Sequence, residues 1–289
     1  MIHKKIKIRT KGSSDNAYLV TYFLESSDEI PAPPRPCVVL CPGGGYAFTS
    51  DREAEPVAMR FLAQGIHVVI LRYSVAPAVF PTALLELGLT VKYVRSVAYE
   101  NFIDPDRIVT MGFSAGGHLV ASYGNFWRTK QVAELLGLFP QDLTSSSVTA
   151  MSRTEREAFS EVLRPNAQIL GYPVITSGRF AHRGSFDNLL GESATEVQLE
   201  RLSLENTVNE NTPATFIWHT QADDAVPVEN SLLFVNALQE AHIKTEFHLF
   251  PNGPHGLSLA DNTTSVSACL IDPNVAVWID MAVRFVKNL

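Results

Sequence analysis

Ser114, Asp223 and His255 lie far apart in the chain, yet they are the residue types that a nucleophilic acyl-transfer site is made from. Ser114 is framed as Gly112-Phe-Ser114-Ala-Gly116 within "MGFSAGGHL", directly after the apolar run "RIVTM". A strand that ends in Gly-x-Ser-x-Gly and runs straight into a helix must turn sharply. Small residues on both sides of the serine make that turn sterically possible. The hydroxyl is then held out at the end of a sheet. Near neutral pH it is a weak nucleophile and needs a base within hydrogen-bond reach.

Eight histidines are available, and their settings differ. His67, His219 and His248 sit inside strand-like runs and His242 near a helix end, settings that suit packing or surface roles. His118 follows Ser114 by four residues on the same helix, so its side chain runs along the flank, away from an elbow hydroxyl. His255 stands in "FPNGPHGLS", a Gly- and Pro-rich loop after the last strand candidate. Loops at the C-terminal edge of a parallel sheet are where such architectures collect their chemistry. A carboxylate is needed to orient the imidazole and stabilise its cation. "HTQADDAVPVENS" offers Asp223 and Asp224 after the strand "TFIWHT"; either could instead cap the helix that begins near Pro227. From Ser114 to Asp223 is 109 residues and from Asp223 to His255 is 32, enough in each case for a strand and a helix.

The anion formed when a serine attacks a carbonyl needs preorganised N–H donors. "CPGGGYAF" supplies Gly43, Gly44 and Gly45 after the strand "CVVLC", and the N–H of Ala115 lies next to the nucleophile. A phosphate cradle is a poor alternative for these glycines: no Gly-Lys-Ser/Thr follows, and Phe48 stands where a dinucleotide fingerprint wants glycine. Cys37 and Cys41, on one strand, would be separated by ~13 Å, too far for a disulfide. With Cys269 they read as reduced thiols.

The elements that must position these groups are short apolar runs at 37–41, 67–73, 107–113, 168–175, 215–220 and 244–250. Helical patterns at 53–64, 81–99, 115–125, 228–241 and 273–287 separate or follow them. Near-continuous β-branched runs alternating with amphipathic helices describe a parallel sheet covered on both faces. The opening "HKKIKIRT" and "AYLVTYFL" alternate in period two and predict antiparallel strands; a Pro-rich linker, "PAPPRP", follows. The expected fold is a single doubly wound α/β domain over 1–289 with an antiparallel N-terminal edge. Two stretches, about 127–165 and 176–210, are too long for simple crossovers and are expected to be lid insertions over the site.

The composition, 46% hydrophobic and 18% charged over 289 residues, is that of a globular chain. A net charge of −7 lacks the basic face that nucleic-acid backbone binding needs. No stretch reaches ~18 consecutive apolar residues and no signal-peptide h-region is evident. The expectation is a soluble, cytoplasmic protein without membrane or nucleic-acid partners, and one compatible with a homo-oligomer.

"GFSAGGHL" preceded by "IDPDRI", with "PGGGY", "ADDAVPVENS" and "PNGPHG", resembles the α/β-hydrolase superfamily. Within it the likeness is to the small bacterial acetyl-esterase and carboxylesterase group related to hormone-sensitive lipases. The resemblance runs from about residue 36 to the C-terminus and is weakest in the lid stretches. It implies the α/β-hydrolase fold, Ser114 as nucleophile, His255 as general base, and the N–H groups of Gly44, Gly45 and Ala115 as the oxyanion hole. It also favours Asp223 over Asp224, because the family's acid lies four residues after a histidine, here His219. Pro42 replaces the histidine of the lipase-like His-Gly-Gly-Gly, and Thr220 replaces a glycine. The resemblance implies a serine carboxylesterase for short acyl esters, acetylated sugars among them, with no cofactor or metal. Tyr46, Phe48, Phe126 and Trp127 are expected to narrow the acyl pocket. A prolyl-oligopeptidase-type peptidase would need a propeller domain for which the chain has no room, and a non-catalytic receptor on this fold would have lost part of the triad.

Overall fold

The computed structural model describes residues 1–30, 33–139, 152–191 and 193–289. Among them, eight strands form one sheet in the order β1-β2-β4-β3-β5-β6-β7-β8. They are β1 (Ile2–Lys7), β2 (Tyr18–Phe23), β3 (Arg35–Cys41), β4 (His67–Arg72), β5 (Ile103–Phe113), β6 (Ala167–Gly171), β7 (Ala214–Thr220) and β8 (Thr245–Phe250). β2 runs antiparallel to both β1 and β4, and every pair from β4 to β8 is parallel. The predicted α/β architecture with an antiparallel N-terminal edge is therefore the observed one.

The sheet is buried because its strands are apolar on both faces. Along β3, Cys37, Val39 and Cys41 enter one core while Val38 and Leu40 enter the other, the two-residue alternation of a pleated strand. The first core is covered by α2 (Thr82–Ser96), α3 (Ser114–Phe126) and α8 (Glu229–Glu240); the second by α1 (Glu55–Leu62) and α10 (Trp278–Lys287). The remaining α-helices among the described residues are α4 (Lys130–Leu135), α5 (Arg153–Ser160), α6 (Arg183–Leu190), α7 (Glu196–Arg201) and α9 (Pro273–Ala276). Cys37 and Cys41 are buried free thiols, and burial raises both pKa values.

Several boundaries differ from expectation, among them the start of β5, at Ile103 rather than 107. The run 168–175 is a strand only to Gly171, because Tyr172 turns to φ 36° and Pro173 has no N–H for the ladder. The 81–99 helix ends at Ser96. The C-terminal helix breaks at Val277, giving α9 and α10. Pro36 sits within β3 where the register to β5 shifts between Arg35 and Cys37, the irregularity at which a strand tolerates proline. Residues 31–32 of the Pro-rich stretch lie outside the described residues.

This strand order places the chemistry. α1 follows β3 on one face and α3 follows β5 on the other, so the chain parts between the C-terminal ends of these neighbouring strands, where open α/β sheets bind ligands. The glycine stretch after β3 and Ser114 after β5 are both at that crevice. No helix among the described residues is long and apolar enough to cross a membrane.

Candidate active site

Ser114 begins α3 with φ 51°, a left-handed conformation that costs a non-glycine residue free energy. The framing glycines are explained by contact: a Cβ on Gly112 would collide with the Gly116 carbonyl oxygen, and one on Gly116 with that of Cys41. The turn thus presses α3 against the ends of β3 and β5, and only hydrogen fits on either side of the serine.

His255 meets this hydroxyl. Its Nε2 lies 2.8 Å from Ser114 Oγ, and its Nδ1 lies 2.8 Å from Asp223 Oδ2. The other Asp223 oxygen accepts the backbone N–H groups of Ala225 (3.0 Å) and Val226 (2.8 Å). The Asp223 side chain is 1% exposed and that of His255 is 21% exposed. Burial alone would raise the Asp223 pKa, but hydrogen bonds from His219 and His255 outweigh it and hold the carboxyl well below its ordinary value. Asp223 is therefore an anion able to orient an Nδ1–H and offset positive charge on the ring.

His219 and Asp224 have roles their sequence settings did not suggest. His219 Nε2 lies 3.2 Å from Asp223 Oδ2 and 3.0 Å from the Val226 carbonyl, while its Nδ1 is 2.8 Å from Ser231 Oγ. A strand histidine read as packing is thus also a donor to the buried acid; the four-residue spacing to Asp223 was the available signal. Asp224 accepts the backbone N–H of His255 at 3.1 Å. Neither acid caps α8, which has Val228 at its N-cap and no side-chain cap.

The glycine stretch lies against the elbow: a Cβ on Gly43 would be 3.0 Å from Ser114 Cβ. Gly44 has φ 133°, and a side chain there would strike the Phe48 carbonyl. Its own carbonyl accepts the N–H groups of Ala47 (3.0 Å) and Phe48 (3.2 Å), closing a tight loop. The Gly43 N–H is taken by Glu53 Oε2 at 2.7 Å. Among the described residues no acceptor receives the N–H of Gly44 or Gly45. The N–H of Ala115, in the first turn of α3, also has no intrahelical partner.

The four aromatic residues expected around an acyl pocket separate. Phe48 is 61% exposed, with its ring beside Gly44. Tyr46 instead turns its side chain into the core, its hydroxyl 3.0 Å from His118 Nδ1. Trp127 is a correction. It follows the last residue of α3, whose first residue is Ser114, so the helix length puts it about 20 Å from the nucleophile. Its Nε1 donates to the Asn211 carbonyl at 2.9 Å. Phe126, at the same end, lines a small pocket with Pro81 and Val132.

Of the expected lid stretches, the described parts of 127–165 pack at that distant end of α3, where the Tyr123 hydroxyl donates to the Leu163 carbonyl; residues 140–151 lie outside the described residues. The second stretch reaches the site: Asn188 Nδ2 donates to the Gly45 carbonyl at 2.9 Å. Burial, then the charge of His255, lowers the pKa of His182, whose Nδ1 lies 2.9 Å from Ser185 Oγ. Among the described residues no group of His, Cys, Asp and Glu could hold a metal ion.

Comparison with known proteins identifies relatives among esterases. The BD-FAE family model matches residues 26–238. An endo-1,4-β-xylanase B from Butyrivibrio fibrisolvens is 35% identical over 233 residues, 79% of this chain and 33% of that protein. An acetylxylan esterase from Xylanibacter ruminicola is 30% identical over 227 residues, 76% of this chain and 40% of that protein. The chain thus spans a third to two fifths of these curated relatives. The crystal structure of an acetyl ester-xyloside bifunctional hydrolase from Caldicellulosiruptor lactoaceticus superposes with a TM-score of 0.76 at 36% identity, covering 94% of this chain and 88% of that one. The chain belongs to the BD-FAE family, within the esterase group of the α/β-hydrolases.

Proposed function

We propose that the protein is a serine carboxylesterase that hydrolyses short-chain acyl esters, acetyl esters of sugars foremost, through an acyl-enzyme. The observation that carries this reading is the continuous path Ser114 Oγ, His255 Nε2, His255 Nδ1, Asp223 Oδ2, with 2.8 Å at each hydrogen bond. In the first half-reaction the Ser114 proton passes to His255 Nε2 as Oγ bonds to the ester carbonyl carbon. The resulting oxyanion accepts the N–H groups of Gly44, Gly45 and Ala115. Collapse of this intermediate breaks the bond to the alcohol oxygen, which leaves with the proton held on His255. Water then repeats the sequence on the acyl-enzyme and releases the acid. Each oxyanion donor is typically worth ~2.7–4 kcal/mol of transition-state stabilisation.

The acetyl and sugar part of the reading is supported by the names of the relatives and by the exposed Phe48 ring beside Gly44. The stretch 176–190, tied to the glycine loop by Asn188, is proposed as the cover of the site. The test is a series of p-nitrophenyl esters from acetate to dodecanoate, followed by acetate release from acetylated xylo-oligosaccharides. Fastest turnover on acetate and its loss in Ser114→Ala are expected. Equal rates across the series would overturn the short-acyl reading, and undiminished turnover in Ser114→Ala would overturn the nucleophile.

A further inference from the structure

Glu53 is 4% exposed, and among the described residues no ion pair compensates it. An isolated buried carboxylate is costly unless hydrogen bonds replace its water. Its Oε2 accepts the Gly43 N–H at 2.7 Å, and its Oε1 accepts the Tyr172 hydroxyl at 2.6 Å. The Tyr172 oxygen in turn accepts the Ser258 N–H at 2.9 Å. Burial, then the charge of Glu53, raises the Tyr172 pKa well above its ordinary value, which keeps its proton in place to donate. The Tyr172 ring stands edge-on to the His255 ring, with centroids 5.0 Å apart.

The neighbouring Arg52 holds the same loop from outside. Its guanidinium donates to the carbonyls of Gly256 (2.8 Å) and Thr264 (2.5 Å), and its own carbonyl accepts the Ser258 hydroxyl at 2.7 Å. Two unrelated loops, one carrying the glycines and one carrying His255, therefore converge on a single dipeptide. The Gly43 bond has a further consequence. It turns that N–H toward Glu53, while among the described residues no acceptor receives the next two N–H groups.

We propose that Glu53 is a positioning residue that fixes the oxyanion loop relative to the His255 loop, with Tyr172 as its second arm. The proposal rests on the esterase reading above. Misplacement of the loops by a fraction of an ångström would weaken interactions made in the transition state more than substrate binding, so the effect falls on kcat. Glutamine at 53 keeps the volume but accepts at only one end, so either the Gly43 N–H or the Tyr172 O–H loses its acceptor. Tyr172→Phe keeps the ring against His255 and removes the other arm.

The experiment measures kcat and KM of wild type, Glu53→Gln, Tyr172→Phe and the double variant on p-nitrophenyl acetate, with thermal unfolding of each. Losing a hydrogen bond to a charged group predicts a kcat decrease of roughly 10- to 100-fold for Glu53→Gln, with KM within about threefold. Two groups acting through one node should not add, so the double variant should lie within about twofold of Glu53→Gln. Unchanged kcat in both single variants, multiplying losses, or a loss carried by KM would overturn the proposal. If Glu53→Gln does not fold, the kcat–KM split of Tyr172→Phe decides alone. Wild-type protein without Ser114-dependent turnover would remove the premise instead, and so separates the two failures.

Discussion

The carboxylate of Asp224 accepts the main-chain N–H of the same histidine whose ring is held by Asp223. The two adjacent acids divide the work between backbone and imidazole, and their substitutions should differ accordingly. Asp223→Asn would favour the wrong tautomer of His255 and should lower kcat by on the order of 10⁴. Asp224→Ala removes one exposed hydrogen bond, worth about 0.5–1.5 kcal/mol, and should cost at most about tenfold in kcat/KM. Steady-state kinetics on one acetate ester checks both. Equal losses would contradict the division.

The elbow makes a prediction about stability. An alanine at Gly116 has to push its methyl against the Cys41 carbonyl at the end of β3, and neither the strand nor α3 can withdraw without moving the serine. Overpacking at such a site should destabilise by about 1–3 kcal/mol or more. Urea unfolding should show a lower midpoint for Gly116→Ala, together with loss of activity. A midpoint equal to wild type would mean that the turn is looser than described.

The difference between Phe48 and Trp127 shows what a linear reading of this chain could reach. Strand and helix periodicity located the elements, and the Gly-x-Ser-x-Gly frame located the elbow, because both depend on neighbours in the chain. Trp127 is close to Ser114 in sequence, but a 13-residue helix carries it to the opposite edge of the sheet. Glu53 presents the converse case. Nothing in "SDREAEP" marks it as different from a surface acid until the strand order brings Gly43 and Tyr172 to its two oxygens. Asp223 over Asp224 followed from a resemblance, since only tertiary geometry says which carboxylate faces a ring and which a main-chain N–H.

Asn188 offers a test of the cover. Its side chain links α6 to the Gly45 carbonyl, and Asn188→Ala should release that link at a cost of roughly 0.5–1.5 kcal/mol. If α6 and the preceding loop contact the alcohol part of the substrate, kcat/KM should fall more for an acetylated xylo-oligosaccharide than for p-nitrophenyl acetate. An equal fall on both esters would limit Asn188 to supporting the glycine loop.

Acid sensitivity follows from two buried neutral histidines outside the site. His67 Nδ1 accepts the Leu24 N–H at 3.0 Å and its Nε2 faces the Phe102 carbonyl at 3.3 Å. His118 is placed alike between the Tyr46 hydroxyl (3.0 Å) and the Leu202 carbonyl (3.1 Å). In each, protonation would put a hydrogen on Nδ1 where a donor already points. Burial accordingly lowers both pKa values from 6.5 to about 4. Between those values the unfolded chain binds the protons and the native one does not, so stability rises with pH across the window and is lost as pH falls from 6.5 toward 4. At about 1.4 kcal/mol per pH unit, each histidine should cost the fold about 3 kcal/mol by pH 4. Two such losses approach the whole stability of an ordinary domain, about 5–15 kcal/mol. Urea midpoints measured from pH 7 to 4.5 should therefore fall steeply, and His118→Gln, which can present one donor and one acceptor without titrating, should flatten the slope by about half. A slope unchanged in that variant would assign the acid sensitivity to other groups.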